Sequence, residues 1–552
     1  MFSSLKKVTV IGVGGGAAYY VAKVLSLLKI SVDGYDQKEN EHTKELVHLG
    51  ANIRIQNPDS WSFPDSNLIL YTTALPQRLQ EQIFAANPNT KTYDVGTFYD
   101  MIVEAYAMDE FKEDTYVLSA IKESNIAPLY DIDFGKTILI GVTGSKGKTT
   151  TSQMLYDTLT MLGRKVSLIS TIGGRILDEK IETGLHTSTP SAQELAVLFQ
   201  KMLEKESEII VVESSSHAIA TGRISGLKFD YAVLTNVQPE HLDFHKTLEH
   251  VLMTKMKLVT TFLKPDCGVA IVNIDDENIR EKVYPELYKY ATKVFTISQE
   301  GLSFPDSQGY VAKNLVTNEN SISFDLQSAK DETASEHFNV PFAGAFNATN
   351  VFASIIIARE LELPEIPNVI EKLHPVDGRN EVLQTAPFKA VLDFAHTPES
   401  LEAILKTYRT LPSTNRVIVV FGTAGQRDTV KRPRMGAAAA QYADITILTA
   451  EDPRTEKLSE INDAIEKGWR ACVTEQQLQD KRTLYRFDDA SIKEEIRVEA
   501  IRKAFSLAQP GDVVICAGKG PEKSLCFETE ERPWNEKEVM LRLLNEPSDS
   551  NA

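Results

Sequence analysis

Short apolar runs alternate with helical patterns along most of this chain. The run VTVIGV at residues 8–13 is followed by a glycine-rich turn and by a helical pattern over residues 17–28. The run TILIGVT at residues 137–143 is likewise followed by a glycine-containing loop and by apolar residues at helical spacing. Strands that alternate with helices in this way are typical of parallel sheets covered by helices. The pattern therefore predicts an α/β fold.

The alternation falls into three blocks, and 552 residues exceed what one hydrophobic core normally organises. The first block covers residues 1–115, and a helical, acidic stretch at 116–136 is interpreted as a linker. The second covers residues 137–374 and the third covers residues 375–552. The third block has its own strand-like runs, KAVLDFAH, RVIVVFG, DITILTA and GDVVICAG. We predict three α/β domains, of which the first and the last are Rossmann-like.

Composition narrows the class of protein. Lys and Arg number 59 against 77 Asp and Glu, so the net charge is −18, and this acidity argues against a nucleic-acid partner. Four cysteines without paired metal spacing fit a reducing compartment. The N-terminal apolar run is interrupted by glycines, and no apolar run reaches the ~18 residues of a membrane span. We expect a cytoplasmic protein without membrane insertion, and we expect a monomer.

A dinucleotide-binding pattern lies in the first block. Gly12, Gly14 and Ala17 form G-x-G-x-x-A after a strand, and Asp36 ends the next predicted strand. Such glycines let a pyrophosphate approach a helix N-terminus, and the acid meets a ribose hydroxyl. By itself the pattern indicates an NAD(P)-dependent oxidoreductase. The same turn can also hold another nucleotide diphosphate or serve only tight packing.

A phosphate-binding loop begins the second block. Its backbone amides and helix dipole can hold phosphates, Lys148 can reach the terminal ones, and the Thr149 hydroxyl can bind Mg²⁺. The usual pattern has glycine where Val142 stands, and a purely structural turn is the alternative. We predict a P-loop ATPase sheet in this block. The predicted ATP-binding loop residues are Gly144, Ser145, Lys146, Gly147, Lys148, Thr149 and Thr150.

Further along, a carboxylate and several imidazoles suggest metal sites. Glu213 ends a buried strand, where a carboxylate needs a cation or hydrogen-bond donors. The segment TNVQPEHLDFHKTLEHVLMTKMKLV contains His241 and Lys255. In isolation this segment is equally well interpreted as a capped helix start. Beside a P-loop, it suggests Mg²⁺ ligands.

Together these motifs carry a resemblance to a known family. GSKGKTT, ESSSH, TN-x-x-x-EHLD-x-H, the downstream lysine, FN-x-x-N, GR-x-E and DFAHTPES resemble the Mur ligases, the ATP-dependent amino-acid-adding enzymes of peptidoglycan synthesis. The resemblance covers nearly the whole chain. In that family the loop lacks the usual first glycine, so Val142 becomes a family feature.

The resemblance implies a mechanism and a set of catalytic residues. ATP phosphorylates a substrate carboxylate, and an amine attacks the acyl phosphate to form an amide. Lys148 would neutralise the transferring phosphate, Thr149 and Glu213 would hold one Mg²⁺, and His241 would join a second. Lys255 falls where the family carries an N6-carboxylysine, a carbamate that also binds Mg²⁺.

Other contacts are implied in the same way. Asn350, Arg379, Asp393 and His396 match residues around ATP. The first block resembles the UDP-binding domain of the alanine- and D-glutamate-adding members, which places Gly14 and Asp36 near uridine diphosphate. The residues that match contacts to the UDP-muramoyl-peptide substrate are Ser188, Thr189, Ser215 and Arg223.

The third block resembles the branch that adds the third amino acid. Arg427, Asp452, Arg454, Gly518 and Glu522 match residues that grip meso-diaminopimelate, although Asp452 replaces an asparagine and Pro521 a histidine. A carboxylate at position 452 would repel a substrate carboxylate and prefer an amine. We therefore expect addition of a diamino acid, meso-diaminopimelate or lysine, to UDP-N-acetylmuramoyl-L-alanyl-D-glutamate. D-Glutamate addition, an oxidoreductase and an inactive nucleotide-binding protein remain the alternatives.

Overall fold

The fold was analysed in a computed structural model. It describes residues 2, 4–57, 66–72, 77–86, 88–107, 110–111, 113–181, 189–304, 308–330, 335–473 and 482–546. Among the described helices, none has both the length and the apolar composition needed to cross a membrane. The mixed α/β fold predicted from the alternating pattern is confirmed.

The N-terminal region is a parallel five-stranded sheet in the order β3-β2-β1-β4-β5. The order reverses between β1 and β4, where doubly wound sheets open a ligand crevice. Its elements are β1 Lys7–Ile11, α1 Gly16–Leu27, β2 Ser31–Asp36, α2 Glu41–His48, β3 Asn52–Ile55, β4 Leu68–Tyr71, α3 Gln77–Ala86, β5 Lys91–Asp94, α4 Val95–Ala107 and α5 Thr115–Ser124.

The hydrophobic core of this region continues past residue 115. Val117, Ile121 and Ile126 are buried in the same cluster as the side chains of β1 and α1. An apolar stripe on α5 therefore covers α1, which explains why part of the predicted linker is helical. We propose that the first domain extends to about residue 127 and that the linker is correspondingly shorter.

The central region has an eleven-stranded sheet in the order β16-β15-β14-β13-β12-β11-β6-β10-β7-β8-β9. Strands β14 to β7 in this order are parallel, and antiparallel hairpins extend both edges. Its strands are β6 Ile138–Thr143, β7 Val166–Ser170, β8 Gly173–Ile176, β9 Glu179–Ile181, β10 Ile209–Glu213, β11 Tyr231–Leu234, β12 Val269–Asn273, β13 Lys293–Ser298, β14 Gln308–Thr317, β15 Ile322–Ser328 and β16 Ser335–Val340.

Helices cover both faces of that sheet, and each face has its own core cluster. The helices are α6 Lys148–Met161, α7 Ala192–Glu204, α8 Ser216–Ala220, α9 Leu242–His245, α10 Leu248–Thr260, α11 Tyr284–Leu287, α12 Phe346–Glu360 and α13 Ile366–Ile370, and a short π-helix spans Ile279–Val283. The start of α7 is set by a capping box between Ser191 and Glu194.

The C-terminal region is a six-stranded sheet in the order β17-β18-β22-β19-β20-β21, with β23 and β24 as a separate hairpin. Within the six-stranded sheet β17 runs antiparallel to β18 and the other pairs are parallel, while β23 and β24 are antiparallel to each other. The elements are β17 Glu381–Gln384, β18 Lys389–Asp393, α14 Pro398–Arg409, β19 Val417–Phe421, α15 Lys431–Tyr442, β20 Ile445–Leu448, α16 Leu458–Cys472, β21 Thr483–Arg486, a 3-10 turn Ala490–Ile492, α17 Glu495–Leu507, β22 Val513–Ala517, β23 Ser524–Phe527, β24 Glu530–Pro533 and α18 Glu536–Asn545.

Two glycines allow α15 and α16 to approach at backbone distance. A Cβ on Gly436 would lie 2.0 Å from the Ile465 carbonyl oxygen, and a Cβ on Gly468 would lie 1.8 Å from the Pro433 carbonyl oxygen. Because these neighbours are backbone atoms, a larger residue requires the helices to separate.

We expect Gly468→Ala to destabilise the protein. Alanine gains up to about 1 kcal/mol of helix propensity, but overpacking against backbone costs about 1 to 3 kcal/mol. A lower thermal unfolding midpoint checks this. Gly16→Ala is the control, since a Cβ at Gly16 meets nothing within 4 Å. An equal response of both variants would contradict the helix contact.

Candidate active site

The loop after β6 is shaped by two glycines. Gly144 has φ +150°, and a Cβ there would lie 1.9 Å from Thr235 Oγ1. Gly147 has φ +81°, and a Cβ there would lie 2.5 Å from Asn350 Oδ1. Both positions favour glycine, because the φ angle is positive and a side chain would clash with a neighbouring residue. The strand, loop and helix therefore occur in the order that the sequence predicted.

The structure explains why position 142 is valine instead of glycine. It is fully buried in β6, where it pairs with Glu213 on one side and with Val233 on the other. Because this position is still in the strand, it needs no positive φ and its side chain fills the core. Valine therefore fits where the generic loop pattern expects glycine.

The two loop lysines differ in their surroundings. Lys148 Nζ donates to the carbonyl oxygens of Gly144, at 2.8 Å, and Ser145, at 3.2 Å, so it folds over the loop. The backbone of Lys146 is held by the side chains of Thr235 and Asn236, at the end of β11. Burial lowers the pKa of the Lys146 ammonium to about 8.

Glu213 is the buried centre of a hydroxyl and amide cluster. Thr149 Oγ1 donates to its Oε1 at 3.0 Å, Thr171 Oγ1 donates to the same oxygen at 2.9 Å, and the Thr171 amide donates to Oε2 at 2.9 Å. Arg379 Nη2 donates to Thr149 Oγ1 at 3.3 Å from 230 residues away. Thr171 was missed from the sequence, although it follows β7, the neighbour of β10.

Lys255 lies beside the loop rather than in solvent. Its side chain is fully buried on α10, and Nζ lies 2.6 Å from Glu240 Oε1 and donates to the Gly144 carbonyl at 2.8 Å. Burial lowers the Lys255 pKa to about 8. Burial alone would raise the pKa of Glu240, but the charges of Lys255 and Lys148 lower it to about 2. Glu240, the partner of Lys255, was not predicted from the sequence.

Histidine rings of the segment that follows Glu240 contact the ring of His217. His241 has φ +48° and precedes α9, and its ring contacts that of His217 at 4.6 Å between centroids. His245 is buried, and neither ring nitrogen has a hydrogen-bond partner among the described residues. The predicted His241 directly follows Glu240, the partner of Lys255, in the chain.

The C-terminal region contributes the far side of the loop. Arg379 packs over the Phe394 ring at 4.4 Å. Both oxygens of Asp393 accept backbone amides, from Asn380 and Ala395, each at 2.7 Å. The Asp393 side chain therefore shapes the strand end. His396 Nδ1 lies 2.8 Å from the Phe394 carbonyl, and burial holds its pKa well below the ordinary value.

Asn350 lies beneath the loop on α12. Its Nδ2 donates to Asn347 Oδ1 at 3.0 Å, and its Oδ1 accepts from Thr151 Oγ1 at 3.4 Å. It is buried against Gly147, so it lies beside the predicted nucleotide site.

Three of the residues predicted to hold the muramoyl-peptide meet at the end of β10. Thr189 Oγ1 donates to the Glu213 carbonyl at 2.8 Å and accepts the Ser215 amide at 3.2 Å. Arg223 Nη1 donates to the Thr189 carbonyl at 3.0 Å. Ser188 lies outside the described residues.

The N-terminal turn is closed by its own acid. The Gly14 amide donates to Asp36 Oδ2 at 2.9 Å, and Asn40 Nδ2 donates to the Gly14 carbonyl at 3.0 Å. The Gln37 amide donates to Asp36 Oδ1 at 2.7 Å. Asp36 is therefore engaged with its own turn instead of pointing a free carboxylate at a ribose.

The predicted amino-acid site is built around a buried lysine. Lys519 Nζ lies 2.9 Å from Asp452 Oδ1 and 2.6 Å from Glu522 Oε2, and the Cys526 amide donates to the same Asp452 oxygen. Burial raises the pKa of the neighbouring Glu451 to about 7. Lys519 thus balances the Asp452 charge, and the expectation that Asp452 repels a substrate carboxylate and prefers an amine stays a prediction.

The two predicted arginines lie on adjoining loops. The Arg454 amide donates to the Cys526 carbonyl at 3.1 Å, and the Gly425 amide, just before the exposed Arg427, donates to the Asp452 carbonyl at 2.8 Å. Gly518 lies next to Glu451, because a Cβ on Gly518 would be 3.3 Å from Glu451 Cγ. The loops after β19, β20 and β22 therefore converge.

Comparisons with known proteins agree with this geometry. The family model described as "Mur ligase middle domain" matches residues 142–358, and "Mur ligase, glutamate ligase domain" matches residues 378–520.

Two curated relatives are named UDP-N-acetylmuramoyl-L-alanyl-D-glutamate–2,6-diaminopimelate ligases. The protein from Clostridium acetobutylicum is 32% identical over 76% of this chain and 80% of its own length. The protein from Bacteroides thetaiotaomicron is 32% identical over 87% of this chain and 96% of its own length. A solved MurF ligase from Thermotoga maritima, in complex with ADP, shares the fold with a TM-score of 0.51 at 18% identity, over 88% of this chain and 95% of that one.

We expect Lys148→Ala to lower ATP turnover about 100-fold or more, because terminal phosphate charges would lose the nearest ammonium. ADP release by the purified, folded variant is the measurement. Lys201→Ala, which removes an exposed lysine on α7, is the control. A folded variant that keeps more than about a tenth of the wild-type rate would contradict the role of Lys148, because loss of an electrostatic contact with the phosphates should lower the rate further.

Proposed function

This chain belongs to the Mur ligases, and from that premise we propose that it adds meso-diaminopimelate to UDP-N-acetylmuramoyl-L-alanyl-D-glutamate. It is an ATP-dependent carboxylate-amine ligase of peptidoglycan precursor synthesis that forms ADP. The observation that best supports a joint site is the contact of Arg379, from the C-terminal region, with Thr149 of the phosphate loop at 3.3 Å. That contact supports a site formed jointly by the nucleotide loop and the C-terminal region.

The reaction depends mainly on electrostatic stabilisation of negatively charged groups. The D-glutamyl carboxylate of the substrate attacks the γ-phosphorus of ATP, ADP leaves, and the resulting acyl phosphate is attacked by an amine with loss of phosphate. Lys148 lies over the loop, where its ammonium can stabilise the transferring oxygens. Arg379 lies beside Thr149 and offers a second cation.

The donors around the loop fit magnesium. Mg²⁺ prefers oxygen ligands, and Thr149 Oγ1 and the buried Glu213 carboxylate lie 3.0 Å apart at the carboxyl edge of the sheet. These residues would hold one ion, and His241 and a carbamate on Lys255 would hold a second. Bound magnesium would neutralise phosphate charge during transfer.

Lys255 is placed for carbamate formation. A neutral amine is the form that adds CO₂, and burial lowers the Lys255 pKa to about 8. The modification would turn a buried cation into an anion, which Lys148 and magnesium could balance. It would also displace Glu240 from its 2.6 Å contact with Nζ.

The acceptor would lie between the N-terminal and central regions. We assign Thr189, Ser215 and Arg223 to the peptide, because they meet beside Glu213. Gly14 and Asp36 are assigned to the uridine diphosphate side, Asp36 through the hydrogen bond that shapes the Gly14 turn rather than through a ribose contact, because the strand order of the first sheet reverses beside this turn. We propose that the enzyme acts in the cytoplasm as a monomer.

The amino-acid site combines both signs of charge. Glu451, Asp452 and Glu522 supply carboxylates, of which Lys519 balances one charge. Arg454 and Arg427, whose backbones lie on adjoining loops, would supply guanidinium groups. A ligand with a distal ammonium and a distal carboxylate matches both sets. This favours meso-diaminopimelate over L-lysine, which lacks the second carboxylate, and over D-glutamate, which lacks the second amine.

The oxidoreductase alternative loses support from the N-terminal turn. Asp36, the residue expected at a ribose, is bonded to the Gly14 amide and to its own loop. An inactive binding protein is disfavoured because Lys148, Glu213 and Lys255 are retained around one cleft.

We expect Lys255→Ala to be nearly inactive in ligation and partly restored by short carboxylic acids, which replace carbamate oxygens. Lys257→Ala removes an exposed lysine from the same helix and is the control. Carbon-13 NMR of active enzyme in labelled bicarbonate tests the modification directly. A spectrum that shows only an unmodified amine would refute the carbamate.

Arg454→Ala should raise the KM for the amino acid about ten- to hundred-fold, since a lost charge-assisted pair costs roughly 1.5 to 3 kcal/mol. The KM for ATP should change little. Arg470→Ala, an exposed arginine on α16, is the control.

A competition assay with each UDP-muramoyl acceptor identifies the amino acid. A clear preference for L-lysine would change the amino acid but keep the reaction. Incorporation of D-glutamate onto a UDP-muramoyl-alanine acceptor would overturn the proposed function.

A further inference from the structure

Arg497 is a fully buried arginine outside the residues assigned above. It lies in the first turns of α17 with no exposed surface. Its guanidinium donates to the Ala450 carbonyl at 2.8 Å and to the Ala517 carbonyl at 2.9 Å. A buried guanidinium is tolerated only when its donors and its charge are satisfied. Its two hydrogen bonds to backbone carbonyls therefore help to hold this region together.

These two carbonyls belong to strands that do not touch. Ala450 follows β20 and Ala517 ends β22, and β19 lies between those strands in the sheet. Adjacent strands are spaced about 4.8 Å apart, so no backbone ladder can join these ends. The planar guanidinium fork spans them instead.

The residues that follow these carbonyls are those of the amino-acid site. Glu451 and Asp452 come directly after Ala450, and Gly518 and Lys519 come directly after Ala517. The ion pair between Lys519 and Asp452, at 2.9 Å, requires the two strand ends to be held in register.

The counter-charge comes from the end of the chain. Glu536 Oε1 and Oε2 accept from Arg497 Nη2 at 2.5 Å and Nε at 2.7 Å, and Trp534 Nε1 donates to Oε2 at 2.9 Å. Both Trp534 and Glu536 lie beyond residue 520, where the match to the family model ends. The start of α18 thus contacts the support of the site and not the site itself.

We propose that Arg497, held by Glu536 and Trp534, is a positioning residue that sets the separation of the two loops that bind the incoming amino acid. The proposal rests on the proposed function only in taking those loops as the amino-acid site. Arg497 itself touches no substrate.

The same sheet offers a control arginine at its opposite edge. Arg416 pairs with the buried Asp512 at 2.5 Å and donates to the Leu507 carbonyl at 3.0 Å. These residues precede β19 and β22, so they lie at the amino ends of strands whose carboxyl ends carry the site. The Arg416 side chain is 34% exposed and that of Arg497 is fully buried, so Arg416→Lys should cost less stability. It controls for a general effect on the amino-acid KM of losing a structural arginine in this sheet.

The experiment compares Arg497→Lys with Arg416→Lys in the full-length enzyme. Lysine keeps the charge but cannot donate to two carbonyls and two carboxylate oxygens together. For Arg497→Lys we expect the KM for the amino acid to rise at least tenfold while the KM for ATP stays within about twofold. Arg416→Lys should lower only the unfolding midpoint. Trp534→Phe, which removes one donor to Glu536, should raise the amino-acid KM by a smaller factor and replaces Arg497→Lys if that variant does not fold.

An unchanged amino-acid KM in a folded Arg497→Lys or Trp534→Phe enzyme would overturn the proposal, as would an equal KM rise in Arg416→Lys. The amino acid used is the one that wild-type enzyme incorporates from a panel of meso-diaminopimelate, L-lysine and D-glutamate. A different preferred amino acid would therefore revise the proposed function without deciding the role of Arg497. Absence of any incorporation by the wild type would overturn both.

Discussion

A buried carboxylate at the end of β10 connects the parts of this molecule. Glu213 cannot remain charged in a core without donors, and it receives them from Thr149 of the phosphate loop and from Thr171 after the neighbouring strand. Arg379 then reaches Thr149 from the C-terminal region. The placement of the loop, the sheet edge and the C-terminal region therefore depends on satisfying this one acid.

The same rule of charge balance applies to the buried lysines. Lys255 is placed against Glu240, and Lys519 against Asp452 and Glu522, each within 3 Å of a carboxylate. Removing one partner would leave a buried charge uncompensated, which is more costly than removing both. Each pair lies at a carboxyl edge of a parallel sheet, where such folds expose ligand-binding residues. Buried charged groups thus lie at the sheet edges where anionic and zwitterionic substrates would bind.

Arg497 links a remote segment to the strand ends that precede the proposed amino-acid site. Its donors join the ends of β20 and β22, and its charge is balanced by Glu536 near the end of the chain. A fork of fixed geometry transmits the position of one loop to the other. The chain after the β23–β24 hairpin, at the start of α18, therefore supplies the carboxylate that balances Arg497.

Much of this could be predicted from local sequence. Apolar runs identified β6, β10, β18 and β22, and the glycines of the phosphate loop have the positive φ angles and close contacts that only glycine accommodates. The hairpins β14 to β16 were not predicted, because their pairing depends on neighbours in the sheet more than on the strands' own residues.

The side-chain partners could not be predicted either. Lys519 and Asp452 are 67 residues apart, and Arg497 is 47 and 20 residues from Ala450 and Ala517, so these groups meet through the strand order. Glu240 and Lys255 are closer in the chain and meet because α10 packs back on the loop after β11. The sequence by itself determined which chemical groups are present and which strands carry them, since propensity and periodicity act locally. Only the tertiary structure decided which charges face each other, because burial and distance set the strength of an ion pair.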